Sequence, residues 1–302
     1  MHDRRQRGLS IGFVGAGRVG TAMAVSLYRA GYRVVGISDI SRKNADRFLS
    51  HATECRYFGS AQELAESVEL IFITTSDDAI FEAASSIVWR KGQIAVHCSG
   101  AASLDLLEKP YSDGALTGSF HPCQAFAGIN EAISNLPGST IAIEAQMPLI
   151  EILKEMADSI ECGHIVLGPG DKALYHAAAV FASNYYVTLL KVAADLFETF
   201  GVRSSRTIEI LMPLIEGNLK NIKEIGLPRC LTGPISRGDI GTIRKHLECL
   251  ENKTPQFSRL YAELALQTLP VAKEKGTLKE PESKTFEGIL RKVREQSGTA
   301  KQ

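Results

Sequence analysis

The sequence lacks an excess of either charge. Its 302 residues include 34 lysine and arginine residues and 34 aspartate and glutamate residues, so the formal net charge at pH 7 is zero. Proteins that bind nucleic acid or an anionic membrane depend on a field of clustered basic side chains. We therefore expect a small-molecule substrate, and neither nucleic acid nor a membrane, as the partner of this chain.

The sequence also lacks closely paired cysteines. Its six cysteines are scattered over the chain, and no two of them stand in a Cys-x-x-Cys spacing. Disulfide-stapled secreted domains and structural zinc sites use such spacings. The basic N-terminal residues lack the apolar run of a signal peptide, and no run approaches the roughly 20 apolar residues of a membrane span. These absences predict a reduced cytoplasmic protein without a metal site.

The first half of the chain alternates short β-branched runs with helical patterns. Strands are predicted at residues 9–14, 32–38, 68–74, 93–98, 115–120, 139–144 and 164–168, and helices at 20–29 and 44–50, among others. This alternation is typical of a doubly wound, mostly parallel sheet. After Gly168 the apolar residues follow helical periods. We therefore predict an α/β Rossmann-like domain over residues 1–168 and an all-α domain over residues 169–302.

The predicted second domain opens with an apolar stretch. Residues 171–201 read as one helix of about 30 residues that is apolar on all sides, which predicts a central helix or the core of a homodimer. Helices are also predicted at 204–225, 239–250 and 255–268. The polar tail from Lys273 onward is expected to be loosely held in its last turns.

A glycine fingerprint follows the first predicted strand. Residues 11–20 read IGFVGAGRVG, which places Gly15, Gly17 and Gly20 in the spacing Gly-x-Gly-x-x-Gly. Such glycines allow a tight turn, close approach of a pyrophosphate and close helix–strand packing, and the next helix N-terminus attracts phosphate. The alternative is an ordinary tight turn. The predicted dinucleotide-binding residues are Gly15, Ala16, Gly17, Arg18, Val19 and Gly20.

The end of the second predicted strand bears on the choice of cofactor. Asp39 stands where an acidic side chain accepts hydrogen bonds from the adenosine ribose, which favours NAD. Ser41, Arg42 and Lys43 follow directly and could instead hold the 2′-phosphate of NADP. We therefore expect NAD or NADP, with a slight preference for NAD, and a solvated loop acid is the alternative for Asp39.

Polar residues follow the next two predicted strands. Ligands of doubly wound sheets bind beyond the carboxyl ends of strands, so Thr75, Ser76 and Asp77 are expected to face the nicotinamide half of the cofactor. Asp77 could equally cap the helix that starts near Ala79. Ser99, in the turn HCSGAAS, either contacts the nicotinamide or caps its own polar turn.

His121 is a candidate acid or base. It precedes Pro122, which favours an extended backbone at its neighbour. A neutral imidazole there could accept a proton from a hydroxyl as hydride leaves, or return it in the reverse direction. Gln124 is expected to hold a substrate oxygen. The alternative is a structural histidine bonded to backbone.

The start of the long predicted helix supplies further candidates. Asp171 is the predicted N-cap, and Lys172 lies in the first turn, where the helix dipole disfavours a cation unless an anion is near. A substrate carboxylate or a developing alkoxide would supply that anion, and an exposed lysine is the alternative. His176 shares the stripe of Lys172 and is either a site residue or a core histidine. Asn184, about 80° round the helix from His176, is expected to bind the substrate.

Residues 230–239, CLTGPISRGD, contain an Arg-Gly-Asp tripeptide. An adhesion function is disfavoured because the chain shows neither a secretion signal nor a disulfide framework. We predict a turn between helices, with Asp239 capping a helix at Ile240. Ser236 and Arg237 are expected to bind the substrate, and the alternative is a structural turn in which Arg237 pairs with a nearby acid.

Five motifs in this order carry a resemblance: the glycine fingerprint, HCSGA, SFHPCQAFAG, YHAAAVFASNYYVTL and LTGPISRGD. Together they resemble a bacterial oxidoreductase family that pairs a Rossmann-like domain with a helical domain long labelled as of unknown function. The resemblance covers about residues 9–270. It extends to the 6-phosphogluconate-dehydrogenase-like superfamily, which includes ketopantoate, pyrroline-5-carboxylate and other reductases.

The resemblance implies hydride transfer between NAD or NADP and a small anionic oxo or hydroxy acid, with ketopantoate as the most concrete substrate. Lys172 matches the catalytic lysine of the superfamily, but His176 stands where an asparagine is usual. His121-Pro122 resembles the catalytic His-Pro turn of prephenate dehydrogenases. Asp39-Ile40 departs from the Ser-Arg that suits NADP in the nearer family. The alternatives are another 2-oxo acid, a cyclic imine, or a non-catalytic dinucleotide-binding sensor or scaffold.

Overall fold

The computed structural model describes residues 8–296. Its internal contacts divide the chain into two compact units, and the division falls after Asn184, later than the boundary at residue 168 drawn from the sequence. The difference arises at the first helix after the sheet. That helix begins with Lys172, whose buried side chain lies 3.7 Å from Glu144 of the sheet, so its first turns belong to the first unit.

The described part of the first unit contains eight strands and eight α-helices. The strands are β1 (Ser10–Val14), β2 (Arg33–Ser38), β3 (Arg56–Tyr57), β4 (Leu70–Ile73), β5 (Ile94–His97), β6 (Leu116–Pro122), β7 (Thr140–Ala145) and β8 (Gly163–Val166). The helices are α1 (Arg18–Arg29), α2 (Arg42–His51), α3 (Ala61–Ser67), α4 (Ile80–Ser85), α5 (Glu108–Ser112), α6 (Ile129–Asn135), α7 (Leu149–Ser159) and α8 (Lys172–Ala182).

The strands form one sheet in the order β3-β2-β1-β4-β5-β6-β7-β8. All neighbouring pairs are parallel except β6 and β7, which are antiparallel. The predicted doubly wound, mostly parallel sheet is confirmed, and each predicted strand is present within a few residues. The two-residue strand β3 was not predicted, because two residues are too few to show a strand period.

Apolar side chains cover both faces of this sheet. Along β4, Leu70 and Phe72 lie in one hydrophobic core, whereas Ile71 and Ile73 lie in the other. Successive strand residues point to opposite faces, so a continuous apolar run marks a strand buried on both sides. Because both faces of the sheet are buried, polar side chains are expected chiefly at the carboxyl ends of its strands.

The second unit is helical. Its helices are α9 (Asn184–Glu198), α10 (Ser204–Ile225), α11 (Ile240–Lys253), α12 (Ser258–Glu274) and α13 (Glu280–Gln296), which confirms the predicted all-α region. The single helix predicted over 171–201 is two helices, α8 and α9, which are separated by a turn at Ser183 (φ −119°, ψ −68°). Asp171 precedes α8 but makes no capping bond; its carboxylate accepts the N–H of Gly168.

Part of the predicted loose tail is ordered as α13. Phe286, Leu290 and Val293 are buried in the core that α11, α12 and α13 share. Their three- and four-residue spacing is the pattern of an amphipathic helix. This helix was not predicted, because many charged residues lie between the apolar positions. Residues 297–302 of the predicted tail lie outside the described residues.

Helices α9 and α10, which precede this core in the chain, bury few of their side chains. Helix α9 buries only Ala194 and α10 buries only Thr207. By length and composition alone, the stretch Lys172–Glu198, with a mean hydropathy of 1.2, is a candidate membrane span, whereas none was predicted. A single such stretch is weak evidence for a membrane span, because apolar helices that pack against protein have the same length and composition.

Candidate active site

The glycine fingerprint forms the loop between β1 and α1. Gly15 has φ +103°, a conformation that other residues rarely adopt. A Cβ on Gly20 would lie 2.7 Å from the carbonyl oxygen of Gly15, so only glycine lets α1 approach the loop this closely. No side chain caps the N-terminus of α1, which leaves its first N–H groups available to an anion. These features fit the phosphates of a dinucleotide.

A cavity of about 660 Å³ opens beside this loop. Its walls come from the loop, from the end of β2 and from the segment after β4. They include six predicted cofactor-binding residues: Gly15, Ala16, Gly17, Asp39, Thr75 and Ser76. The structure thus brings these predicted residues together around a space of the size that small-molecule sites have.

Asp39 links two loops of this cavity. One carboxylate oxygen accepts the N–H of Ala16 at 2.6 Å and the other accepts the N–H of Ser41 at 2.7 Å. Arg42 pairs with Asp46 at 2.8 Å and lies over the ring of Tyr57 at 4.4 Å. Both oxygens of Asp39 therefore already accept backbone hydrogen bonds within the chain.

Two predicted loop residues, Arg18 and Val19, have neighbours of their own. Arg18 donates to the carbonyl oxygens of Phe126 and Ala127 at 2.8 and 3.0 Å, which ties α1 to the loop after β6. Val19 packs against the hydrophobic core. Their contacts are structural, and neither residue lines the cavity.

Asp77 and Ser99 connect the segments after β4 and β5. The hydroxyl of Ser99 donates to the Asp77 carboxylate at 2.7 Å and accepts the N–H groups of Ala101 and Ala102 at 3.2 and 3.0 Å. The capping role considered for Ser99 is confirmed. Asp77 begins a short 3₁₀ helix without capping it, because its carboxylate is turned to Ser99.

A polar row crosses three neighbouring strands next to this link. The register pairs His97 of β5 with Ser119 of β6, and Ser119 with Glu144 of β7. Paired residues point to the same face of a sheet. His97 and Ser119 are fully buried, and the Glu144 side chain is 14% exposed. Among the described residues, no hydrogen-bond partner reaches His97 Nε2, Ser119 Oγ or Glu144 Oε2.

His121 extends this row toward α8. Its Nδ1 lies 2.8 Å from the hydroxyl of Tyr175, and its ring lies 6.0 Å from that of His176. A Cβ on Gly100 would lie 2.7 Å from His121 Nε2 and 2.5 Å from His176 Nδ1, so both imidazoles are packed against this glycine. The structure thus places both predicted histidines in one cluster.

Burial keeps two imidazoles of this cluster neutral. It lowers the pKa of His97 to about 3, and the nearby charge of Lys172 adds to the effect. Burial lowers the pKa of His121 to about 4, with His176 and Lys172 adding to the effect and Asp77 opposing it. Both rings are therefore uncharged at neutral pH.

Lys172 is deeply buried in the same cluster. Its side chain is 4% exposed, and its Nζ lies 3.7 Å from Glu144 Oε2, longer than a hydrogen bond. Burial lowers the pKa of Lys172 to about 8, while the carboxylate of Glu144 opposes that shift. The alternative of an exposed lysine is wrong, and the anion that faces this cation is a residue of the chain itself.

The remaining predicted substrate residues are Gln124, Asn184, Ser236 and Arg237. The Gln124 amide donates to the carbonyl oxygen of Asn135 at 3.2 Å, and its own oxygen accepts the N–H of Ala125. Asn184 is exposed. Ser236 and Arg237 belong to the second unit, where the buried Ser236 hydroxyl lies 3.0 Å from that of Thr277 and Arg237 is exposed.

The turn that holds Ser236 is well anchored in its own unit. The predicted cap is confirmed, because Asp239 accepts the N–H of Thr242 at 3.0 Å at the start of α11. Lys275 donates to the carbonyl oxygen of Leu231 at 2.6 Å. These contacts fix the turn within the second unit, and the substrate role of Ser236 and Arg237 stays a prediction.

Four residues of the cluster were not named as site residues from the sequence: His97, Ser119, Glu144 and Tyr175. Tyr175 directly precedes His176, and Glu144 ends an alternating strand, but neither signal separates a site residue from a surface one. Within residues 8–296, no group of three or more His, Cys, Asp or Glu side chains is arranged to hold a metal ion.

Two family models match the chain. A Rossmann-like domain matches residues 1–122, and a domain of unknown function (DUF2520) matches residues 139–268. The Rossmann-like match carries His97 and His121, and the DUF2520 match carries Glu144 and Lys172, so both matched segments contribute to the buried cluster.

Solved structures share this fold. A protein from Bacteroides fragilis described as a candidate NADP oxidoreductase is 24% identical, with a TM-score of 0.71, over 88% of this chain and 99% of its own. Protein TM1727 from Thermotoga maritima is 22% identical, with a TM-score of 0.68, over 95% and 99%. A reductive aminase from Aspergillus terreus, solved with NADPH and ethyl-5-oxohexanoate, is 12% identical, with a TM-score of 0.60, over 96% and 94%.

A search of curated protein sequences finds no significant match. The predicted pairing of a Rossmann-like domain with a helical domain of formerly unknown function is confirmed by the two family models. The structural likenesses do not confirm the predicted resemblance to ketopantoate reductases.

Proposed function

We propose that this chain is an NAD(P)-dependent oxidoreductase that reduces a small carbonyl or imine substrate, or runs the reverse reaction. One observation carries the proposal: a buried cluster of two neutral imidazoles and a lysine lies where β5 and β6 end, linked to the cofactor cavity. The link is short, because Ser76 lines the cavity and the next residue, Asp77, bonds to Ser99.

The chain's own residues would bind the cofactor and handle the proton. The N–H groups at the start of α1 would hold the phosphates, and the bound nicotinamide would supply or accept the hydride. His121 would exchange a proton with the substrate at Nε2, because Tyr175 occupies its Nδ1. Lys172 would act by its charge, close enough to lower the pKa of His121.

We place NADP(H) before NAD(H) as the cofactor. The slight preference for NAD rested on Asp39 as an acceptor for the ribose hydroxyls, and each of its oxygens already accepts one backbone N–H. Arg42, three residues later, carries an exposed guanidinium that could meet a 2′-phosphate. Two of the similar structures are described with NADP or NADPH.

A small anionic oxo acid is the first substrate class, with ketopantoate as its concrete candidate and Arg237 as the candidate carboxylate clamp. A C=N substrate is the second class, and a specific observation favours it. The charge of Lys172 is balanced by Glu144, so this cluster offers no uncompensated cation to a carboxylate. The likeness to a reductive aminase points the same way.

The deciding experiment is a fluorescence titration of the purified chain with NADPH and with NADH. Assays of NAD(P)H oxidation with 2-oxo acids and cyclic imines, and of NAD(P)+ reduction with 3-hydroxy acids, follow it. Turnover of a panel member that is lost in His121→Asn supports the enzyme. His164→Asn is the matched control outside the cluster. Tight cofactor binding without turnover across the panel would instead favour the sensor or scaffold.

We also propose that the chain forms a homodimer in the cytoplasm. Helices α9 and α10 bury one residue each, and large apolar side chains stay exposed along them, among them Val187, Leu214 and Leu219. Apolar faces of this extent on long helices are covered in functional proteins. Light scattering of the purified chain distinguishes a dimer from a monomer. A chain that stays monomeric as the protein concentration is raised would refute this proposal.

A further inference from the structure

The cluster contains one carboxylate that the proposed proton handling does not use. Glu144 stands near the end of β7, and its side chain points to the sheet face that also carries Ser119 and His97. It reaches this position because β7 runs antiparallel to β6, which sets Glu144 directly opposite Ser119. The carboxylate is therefore built into the row of buried polar side chains at the strand ends.

Glu144 faces the most deeply buried cation of the first unit. Its Oε2 lies 3.7 Å from Lys172 Nζ, with side-chain exposures of 14% and 4%. Neither atom has a hydrogen-bond partner among the described residues. A charge that is taken out of water without such partners loses its ionised form unless an opposite charge lies close. For Lys172, Glu144 is the nearest opposite charge.

Other titratable groups surround Lys172 on every side. His97 and Cys98 face it from the end of β5, His121 from β6 and Asp77 from the segment after β4, while His176 follows one turn later on α8. The imidazoles of His97 and His121 are neutral and cannot balance the ammonium. Asp77 is already engaged by Ser99 at 2.7 Å. Glu144 is thus the group on which the charge of Lys172 chiefly depends.

We propose that Glu144 is a positioning residue of this site, which keeps Lys172 in its charged form beside His97 and His121. The inference rests on the proposed function only where it connects Lys172 with proton handling. The carboxylate acts through Lys172, and the ammonium then favours the neutral form of both imidazoles. In the chain as it stands, Lys172 changes charge near pH 8, where burial and the Glu144 carboxylate compete.

The test is the titration of Lys172 in Glu144→Gln, which keeps the shape of the side chain and removes its charge. Side-chain NMR of the full chain labelled at lysine Cε gives the midpoint, and the signal is identified by its loss in Lys172→Met. We expect a midpoint near 8 in the parent. In Glu144→Gln we expect a midpoint at least one pH unit lower, a tenfold change in the acid dissociation constant.

Two further variants complete the test. Glu144→Asp retains a carboxylate at a greater distance and should give an intermediate midpoint, which also serves if Glu144→Gln folds poorly. Glu151→Gln removes the exposed partner of Lys154 on α7 and should leave the Lys172 midpoint at its parent value. Equal midpoints in the parent and in Glu144→Gln would overturn the inference.

The experiment is independent of the proposed function. The titration requires neither cofactor nor substrate, so a chain that turns over nothing in the panel would refute the proposed function and leave this inference standing. Conversely, a turnover assay cannot rescue the inference if the Lys172 midpoint does not move.

Discussion

His97 makes a sharp prediction about how stability depends on pH. Its side chain is fully buried, and its pKa is lowered from 6.5 to about 3 in the folded chain. As the pH falls, His97 therefore binds a proton near pH 6.5 in the unfolded chain, but only near pH 3 in the folded chain. Stability contributed by the neutral ring is present above pH 6.5 and is lost as the pH falls toward 3.

The magnitude follows from the shift. Each pKa unit corresponds to about 1.4 kcal/mol, so the full effect is on the order of 5 kcal/mol. Between pH 7.5 and pH 4.5, before the folded ring titrates, about 2.5 kcal/mol of unfolding free energy is lost through this group. His97→Asn removes the titration while its oxygen can still accept the N–H of Ser99, which His97 Nδ1 accepts at 3.2 Å.

The assay is urea unfolding of the parent and of His97→Asn at pH 7.5 and 4.5. The variant should be less stable than the parent at pH 7.5, but it should lose about 2.5 kcal/mol less on acidification. His246→Asn, which changes an exposed histidine, is the control and should keep the parent's pH dependence. An equal acid loss in the parent and in His97→Asn would refute the reasoning.

Two further substitutions test the cofactor loop and the histidine cluster. Gly20→Ala places a Cβ 2.7 Å from the carbonyl oxygen of Gly15, so it should cost about 1–3 kcal/mol of stability and weaken dinucleotide binding. Thermal unfolding with and without NADPH measures both effects. Unchanged binding would contradict the role of the loop. Tyr175→Phe removes the 2.8 Å bond to His121 Nδ1 and should change the ¹⁵N shift of that nitrogen, whereas an unchanged shift would show that the bond is absent in solution.

Local signals in the sequence were sufficient for the sheet and the nucleotide loop. The apolar runs fell close to the strands, and the glycines of IGFVGAGRVG stand where the spacing predicted. Helix α13 escaped prediction because charged residues surround its buried Phe286 and Leu290. The break at Ser183 escaped because the apolar pattern runs on through it.

The cluster itself depends on pairings that are remote in sequence. Glu144 meets Lys172 because its register with Ser119 of β6 turns its side chain to the face on which α8 begins. His97 joins the row through a parallel register with Ser119, which no local pattern encodes. His121 and Lys172 could be predicted because each stands in a distinctive local setting. His121 directly precedes a proline, and Lys172 is a cation in the first turn of a helix.

The antiparallel pairing of β6 with β7 also limits where this chain can be shortened. The Rossmann-like match ends at residue 122, the last residue of β6, and the paired strand β7 lies in the DUF2520 match. A fragment that stopped there would leave β6 as an open edge with unpaired backbone groups and would expose apolar residues that β7 covers, which invites aggregation. A soluble nucleotide-binding fragment should therefore continue at least through β8.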